Sequence, residues 1–256
     1  MTTFKVVEAS TREELDAIVD CLWAVMEGTA TALKVFCPII TDRDTALREC
    51  KERIWNDHVK DPTGRWIYVR DSSCPILKVL GTCQWRIYEQ NPYPDGMPDV
   101  RAAWWPEGEG REFAIEFLKQ RMAPRVAWMS RPHVGLSWCV VLIEHQKNRI
   151  GQELMSWGIA QTDKLGLESY LEATPEGRKL YQRFGYRPVA EIDLDINDHG
   201  RGEQWRSLRK EVLPSGSEAM WRPIRGVWDK EEPQRTWRGR MRVKRAHEGA
   251  KIHTSL

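Results

Sequence analysis

The chain holds no apolar run of about 18 residues, so no membrane-spanning helix is expected. It has six cysteines and six histidines, but no CxxC pair, no zinc-ligand spacing and no HExxH. A metal site is therefore not expected. The N-terminal stretch MTTFKVVEASTREELD lacks an apolar signal core and turns acidic early, unlike a secretory leader. With no secretory leader, Cys21, Cys37, Cys50, Cys74, Cys83 and Cys139 read as reduced, buried thiols of a cytoplasmic protein, with the nucleus as the other compartment. No internal repeat is visible. The formal net charge is only +2, which excludes a chain that is basic or acidic throughout. A hydrophobic content of 41% excludes a disordered chain. At 256 residues the length allows one large domain or two small ones.

Tryptophan is abundant, with 13 residues. Indoles bury much area and keep one donor, so core and pocket walls are their expected places. Charge is uneven: residues 224–256 carry nine basic residues, Arg225 to Lys251, against four acids, Asp229, Glu231, Glu232 and Glu248. A short charged tail of this kind reads as a solvated extension, and nucleic acid is not expected as a partner. Glu107, Glu109, Glu112 and Glu116 make a second, acidic stretch. It reads either as a solvated face or as a lid over a cationic substrate.

Apolar spacing predicts the elements. Phe4–Glu8 is a first strand. A helix follows, with Ser10 and Glu13 as a capping box and Leu15, Ile18, Val19, Leu22 and Met26 on one face. A second helix is expected from Asp42 to about His58, then strands over Arg65–Val69 and Ile76–Tyr88. Residues 89–129 read as irregular, with YPDG and WWPEGEG as loop signals and a short helix around Glu112–Gln120. The next strand is Val134–Leu142, followed by a helix from about Asn148 to Lys164 and a strand over Leu167–Ala173. Thr174-Pro175 opens a helix that ends at Gly185 in a left-handed C′ position. Tyr186–Leu194 is a last strand. The predicted organisation is a domain over 1–195, with an insertion at about 89–130, and a basic, partly disordered extension over 196–256 in which Met220-Trp221-Arg222-Pro223 docks.

The richest stretch is VVLIEHQKNRIGQELMSWGIAQTDKLGLESYLEATPEGRKLYQRFGY, from Val140 to Tyr186. A β-branched run ends in a loop, and the loop opens an amphipathic helix. That order points backbone N–H groups at a helix start, where an anionic phosphate can sit. A later helix returns Tyr181. Two pieces carry a family pattern: Gln146-Lys147-Asn148-Arg149-Ile150-Gly151 at the helix start, and Leu180-Tyr181-Gln182-Arg183-Phe184-Gly185-Tyr186 beyond it. Together they resemble the GNAT superfamily of acyl-CoA-dependent N-acyltransferases, whose signature is Gln/Arg-x-x-Gly-x-Gly/Ala followed by Leu-Tyr-x-x-x-Gly-Phe/Tyr. The flanking pieces REFA, RPH, EHQ, DKLGLE and MWRP resemble a fungal branch. The resemblance spans Phe4 to Leu194 and is strongest over Pro132 to Pro188. It departs at Arg149, where the family has its first motif glycine, and at Ile143, where many relatives carry proline.

The resemblance implies an α/β GNAT fold with a mixed, splayed central sheet flanked by helices. It implies acetyl transfer from acetyl-CoA, as co-substrate, to a primary amine by direct attack in a ternary complex. Such a reaction needs the donor held, the amine neutral, the oxyanion stabilised and the leaving thiolate protonated. By resemblance, Cys139, Val140 and Val141 splay from the next strand near Glu172 and hold the pantetheine arm. Gln146 and the backbone amides of Lys147, Asn148, Arg149, Ile150, Gly151 and Gln152 hold the pyrophosphate, and Thr174 touches the cofactor. Tyr181 is the general acid. Glu172 is the first choice of base, with Glu144, His133 or a water chain as other options. Cys139 lacks a recognisable His/Asn set and reads as a buried thiol. Two alternatives stay open: a catalytically degenerate acyl-CoA-binding or scaffold protein, motivated by Arg149, and a binding module served by the basic tail. The acceptor amine is not identified, and a homodimer is an open option.

Overall fold

The computed structural model of the chain describes residues 4–28, 34–213 and 216–228. Strand β1 (Phe4–Glu8) leads into helices α1 (Arg12–Gly28) and α2 (Arg43–Lys60), then strands β2 (Gly64–Asp71) and β3 (Val79–Tyr88). Helix α3 (Glu109–Trp128) precedes β4 (His133–Val141), α4 (Ile150–Leu165), β5 (Ser169–Ala173) and α5 (Pro175–Arg183). The described chain ends with β6 (Arg187–Ile192), α6 (Glu203–Val212) and β7 (Ser217–Arg222).

Helix α1 buries Leu15, Ile18, Val19, Leu22 and Met26, the stripe that the spacing predicts. Each large apolar side chain so buried contributes about 1.5–3 kcal/mol. Its capping box lies one residue later than expected. Thr11 Oγ1 accepts from Glu14 N at 3.2 Å, and Glu14 Oε2 accepts from Thr11 N at 3.0 Å and from Ser10 N at 2.9 Å. Glu14 reaches back because its carboxylate satisfies two orphan amides at once. Helix α2 starts as predicted, with Asp42 Oδ1 accepting from Thr45 N at 2.8 Å.

Helix α3 is a correction. It runs 20 residues through Pro124, where a short helix inside an irregular segment was expected. Proline inside a helix costs about 3 kcal/mol. The buried face of Phe113, Ala114, Phe117 and Leu118 offsets that cost by packing on α6, Trp205 and Val35.

The seven strands form one sheet in the order β1-β2-β3-β4-β5-β7-β6. Every neighbouring pair is antiparallel except β4–β5. Side chains alternate across it. Trp66 and Tyr68 of β2 join the core under α1 and α2, whereas Ile67 and Val69 join the core under α4. Helix α4 lies so close to β3 that a Cβ at Gly158 would fall 1.9 Å from the Trp85 ring.

Strand β7 corrects the predicted boundary at residue 195. It sits between β5 and β6, so Ser217–Arg222, beyond that boundary, belong to the same sheet as the rest. Met220-Trp221-Arg222 docks as β7 itself. The basic, disordered tail expected beyond falls mostly on 229–256, outside the described residues. The all-thiol expectation is also corrected: Cys37 and Cys50 are joined as a disulfide, with Cα atoms 6.0 Å apart, because the α1–α2 connection packs onto α2. Cys21, Cys74, Cys83 and Cys139 are free. Among the described residues no helix is long and apolar enough to cross a membrane.

Candidate active site

Strand β4 changes character along its length. Val134, Gly135 and Leu136 pair with β5 at Ser169, Tyr170 and Leu171, and there the β4–β5 ladder ends. On the other side, β3 pairs with all of β4, but its partner jumps from Trp138 to Leu136 between Gln84 and Trp85. Ser137 is the extra residue of a β-bulge, which bends and twists a strand locally. Beyond it, Trp138–Val141 run beside β3 alone. The predicted splay of Cys139, Val140 and Val141 from the strand that carries Glu172 is this opening. Cys139 and Val141 face the α4 core, and Val140 faces the α1–α2 core.

The turn after β4 is held at both ends. A 3₁₀ turn over Ile143–His145 is closed by Gln146 N donating to Ile143 O at 3.2 Å. Ile150, fully buried in the α4 core, pins the helix start. Between these anchors Lys147 and Arg149 both take the left-handed conformation, with φ of 66° and 64°. That conformation costs a side-chain-bearing residue about 1–2 kcal/mol. It explains why a glycine suits position 149, and why arginine is tolerated: the backbone keeps its path and the side chain stays exposed.

The amides of Lys147, Asn148, Arg149, Ile150 and Gly151 have no protein acceptor among the described residues. Gln152 corrects the predicted row: its amide already donates to Arg149 O at 2.8 Å, as Glu153 N does at 3.1 Å. The available row is therefore five amides at the positive end of the α4 dipole, flanked by the Lys147 and Arg149 charges. Strained backbone and unspent donors in one turn are a feature of anion-binding loops.

Helix α5 brings Tyr181 under the open half of β4. Tyr181 is 8% exposed, and its hydroxyl is coupled to the Cys139 thiol by proximity. Burial pushes the phenol well above its ordinary value and pushes the Cys139 thiol up to about 12. Both stay protonated at neutral pH, so Cys139 is no thiolate nucleophile. Thr174 stands at the α5 N-cap position, but its hydroxyl makes no cap bond. Capping, the expected alternative to a ligand contact, therefore does not occupy it. Gly185 has φ of 86°, as the C′ position demands.

Glu172 differs from the expected general base. It projects to the opposite face from Leu171 and Ala173, toward α3, and its side chain is 2% exposed. Arg125 Nε donates to one oxygen at 3.0 Å and Arg125 Nη2 donates to the other. Burial opposes the charge on Arg125, but the carboxylate outweighs it and holds the guanidinium ionised. With both oxygens taken by a bidentate pair, a base role would require that pair to open. Sequence spacing gave no signal of this partnership, since the residues lie 47 apart.

His133, named as a possible relay, begins β4. Nδ1 lies 2.7 Å from Arg131 O. A carbonyl only accepts, so Nδ1 carries the proton. Nε2 is buried without a partner, and burial lowers the imidazole pKa to about 4. Glu144 is exposed. Among the described residues no group of three or more His, Cys, Asp or Glu is arranged to hold a metal ion.

No family model matches the sequence, and no curated protein matches it. Solved structures do. One, described as histone acetyltransferase HPA2 and related acetyltransferase from Corynebacterium glutamicum, is 20% identical with a TM-score of 0.52, over 90% of this chain and 99% of that one. A GNAT-family acetyltransferase from Streptococcus pneumoniae is 13% identical, with a TM-score of 0.49 over 87% and 99% of the two chains. Arabidopsis thaliana NAA60 in complex with a bisubstrate analogue is 12% identical, with a TM-score of 0.49 over 88% and 100%. At such identities the likeness is one of fold, and the first of these structures agrees with the mixed sheet that parts between β4 and β5. The chain has the α/β fold of the Corynebacterium glutamicum acetyltransferase, built on a mixed central sheet.

Proposed function

We propose that the chain is an N-acyltransferase that moves an acetyl group from acetyl-CoA to a primary amine. The observation that carries this reading is the row of five unspent amides, Lys147 to Gly151, beside the half of β4 that has no β5 partner. An acyl-CoA brings an activated thioester with a pyrophosphate at its far end. The five amides and the α4 dipole suit the pyrophosphate, with Lys147 and Arg149 adding charge. The open backbone of Cys139, Val140 and Val141 suits the amide groups of the pantetheine arm, and the Thr174 hydroxyl is free to join them. Gln146 and Gln152 border the turn.

Tyr181 has its proton secured by burial, as an acid that serves a leaving thiolate requires. The amine nitrogen forms a bond to the acyl carbon, the carbon–sulfur bond breaks, and the phenol proton goes to sulfur. The proton lost by the amine returns through solvent to the phenolate. In this reading Glu172 is a positioning residue that, with Arg125, fixes the open end of β5 against α3. Amine deprotonation falls to water rather than to Glu172.

Calorimetric titration of the folded protein with acetyl-CoA tests the reading, paired with turnover measured as thiol release over a panel of amines. Tyr181→Phe should lower turnover about a hundredfold with acetyl-CoA affinity unchanged. No binding heat rejects the proposal. Binding without turnover on any amine supports the degenerate acyl-CoA-binding alternative, which Arg149 motivates.

A further inference from the structure

A second region has the makings of a ligand site. The N-terminal half of α3, the segment after β6 and helix α6 line a half-open cavity of about 480 Å³. Glu112, Glu116, Gln120, Asp195, His199 and Trp205 contribute to its wall. It lies apart from the acyl-transfer elements: Glu116 is nine residues from Arg125, roughly 13 Å along the helix axis.

The wall carries unbalanced charge. Arg201 also lines the cavity and neutralises Glu112, donating to its Oε2 at 2.7 Å. The same guanidinium stacks 4.0 Å from the Trp205 ring centre, so one cation of the chain already sits against this wall. Glu116 and Asp195 have no basic partner among the described residues. Their carboxylates share the cavity with Gln120, which is 9% exposed. The Gln120 amide is oriented by its donors: Nε2 gives hydrogen bonds to Glu116 Oε1 at 2.5 Å and to Asp195 O at 3.1 Å. Its Oε1 is left buried with no partner. A buried acceptor without a donor is unfavourable, and a turn of the amide toward the cavity would let a ligand N–H relieve it.

We propose that this cavity binds a small organic cation, an ammonium or guanidinium group on a short apolar stem. The cationic head meets Glu116, Asp195 and the Gln120 carbonyl oxygen, and the stem meets Ile196 and Trp205. The volume is in the range of small-molecule pockets. A bare metal ion fits less well, because no three acidic, histidine or cysteine groups converge among the described residues. The acidic stretch of the sequence is thus one wall of a cavity rather than a wholly solvated face. The site stands whether or not the chain transfers acyl groups.

Calorimetry of the full chain with 1,4-diaminobutane, without any acyl donor, tests it. Saturable binding is expected, weakening as salt rises, with no heat from 1,4-butanediol. Glu116→Gln and Asp195→Asn should each weaken binding about tenfold, whereas Glu107→Gln, outside the cavity, should not. Circular dichroism melts confirm that the variants are folded. Absence of diamine binding, equal weakening by Glu107→Gln, or heat from magnesium chloride in place of the diamine would overturn the proposal.

Discussion

The two halves of β4 make opposite use of the same strand. From His133 to Leu136 the backbone is paired with β3 on one side and, from Val134, with β5 on the other. Ser169 Oγ adds a hydrogen bond to Val134 O at 2.8 Å. Past the bulge at Ser137, only β3 is a neighbour, and the following turn leaves five amides unspent. Buried backbone groups are normally paired. The unpaired amides beside the two left-handed residues lie at an exposed turn, open to solvent or to a ligand. The closed half holds the fold together, and one inserted residue divides them.

The comparison breaks most visibly at its brace. Glu172→Gln leaves Arg125 buried beside a neutral amide, and removing one partner of such a pair costs about 3–5 kcal/mol. Urea denaturation should show that loss; a variant as stable as the parent would mean that Glu172 is not a brace and reopen its role as a base.

The closed half is tested by pH. The folded His133 imidazole titrates near 4, against an ordinary 6.5. The unfolded chain therefore binds a proton first as pH falls. Stability from this group is full above about 6.5 and is lost toward 4, by about 3 kcal/mol. His133→Gln should flatten that part of the stability profile, and an unchanged slope would place the titration elsewhere.

A smaller effect sharpens the open half. Arg149→Gly removes a side chain from a left-handed position and should raise stability by about 1 kcal/mol. A fall in the melting temperature would show that the arginine side chain makes a contact worth more than the strain it brings.

The sequence revealed what is local. The Thr174-Pro175 start, the Gly185 end and the turn before Ile150 follow from residues within one helical turn of one another. It also placed Tyr181 on the helix that returns to β4. What it hid is non-local. Strand β7 is identified by partners far from it in the chain, and the sequence shows it only as a docked piece of an extension because the pattern breaks after Leu194. Pro124 reads as a breaker until the Phe113–Leu118 face finds α6 to pack on. Arg125 and Glu172 lie 47 residues apart with no spacing signal, so the sequence does not reveal that the carboxylate is held in an ion pair. The motif places Gln152 among the free amides, but its N–H is spent on Arg149 O.

The central claim is that the turn from Lys147 to Gly151 keeps its amides for an anionic ligand. Backbone amide NMR of the labelled protein during an acetyl-CoA titration tests it directly. The account predicts large shifts at Lys147, Asn148, Arg149, Ile150 and Gly151, with Val134, Gly135 and Leu136 nearly unmoved. Saturating acetyl-CoA that leaves those five resonances in place would contradict it.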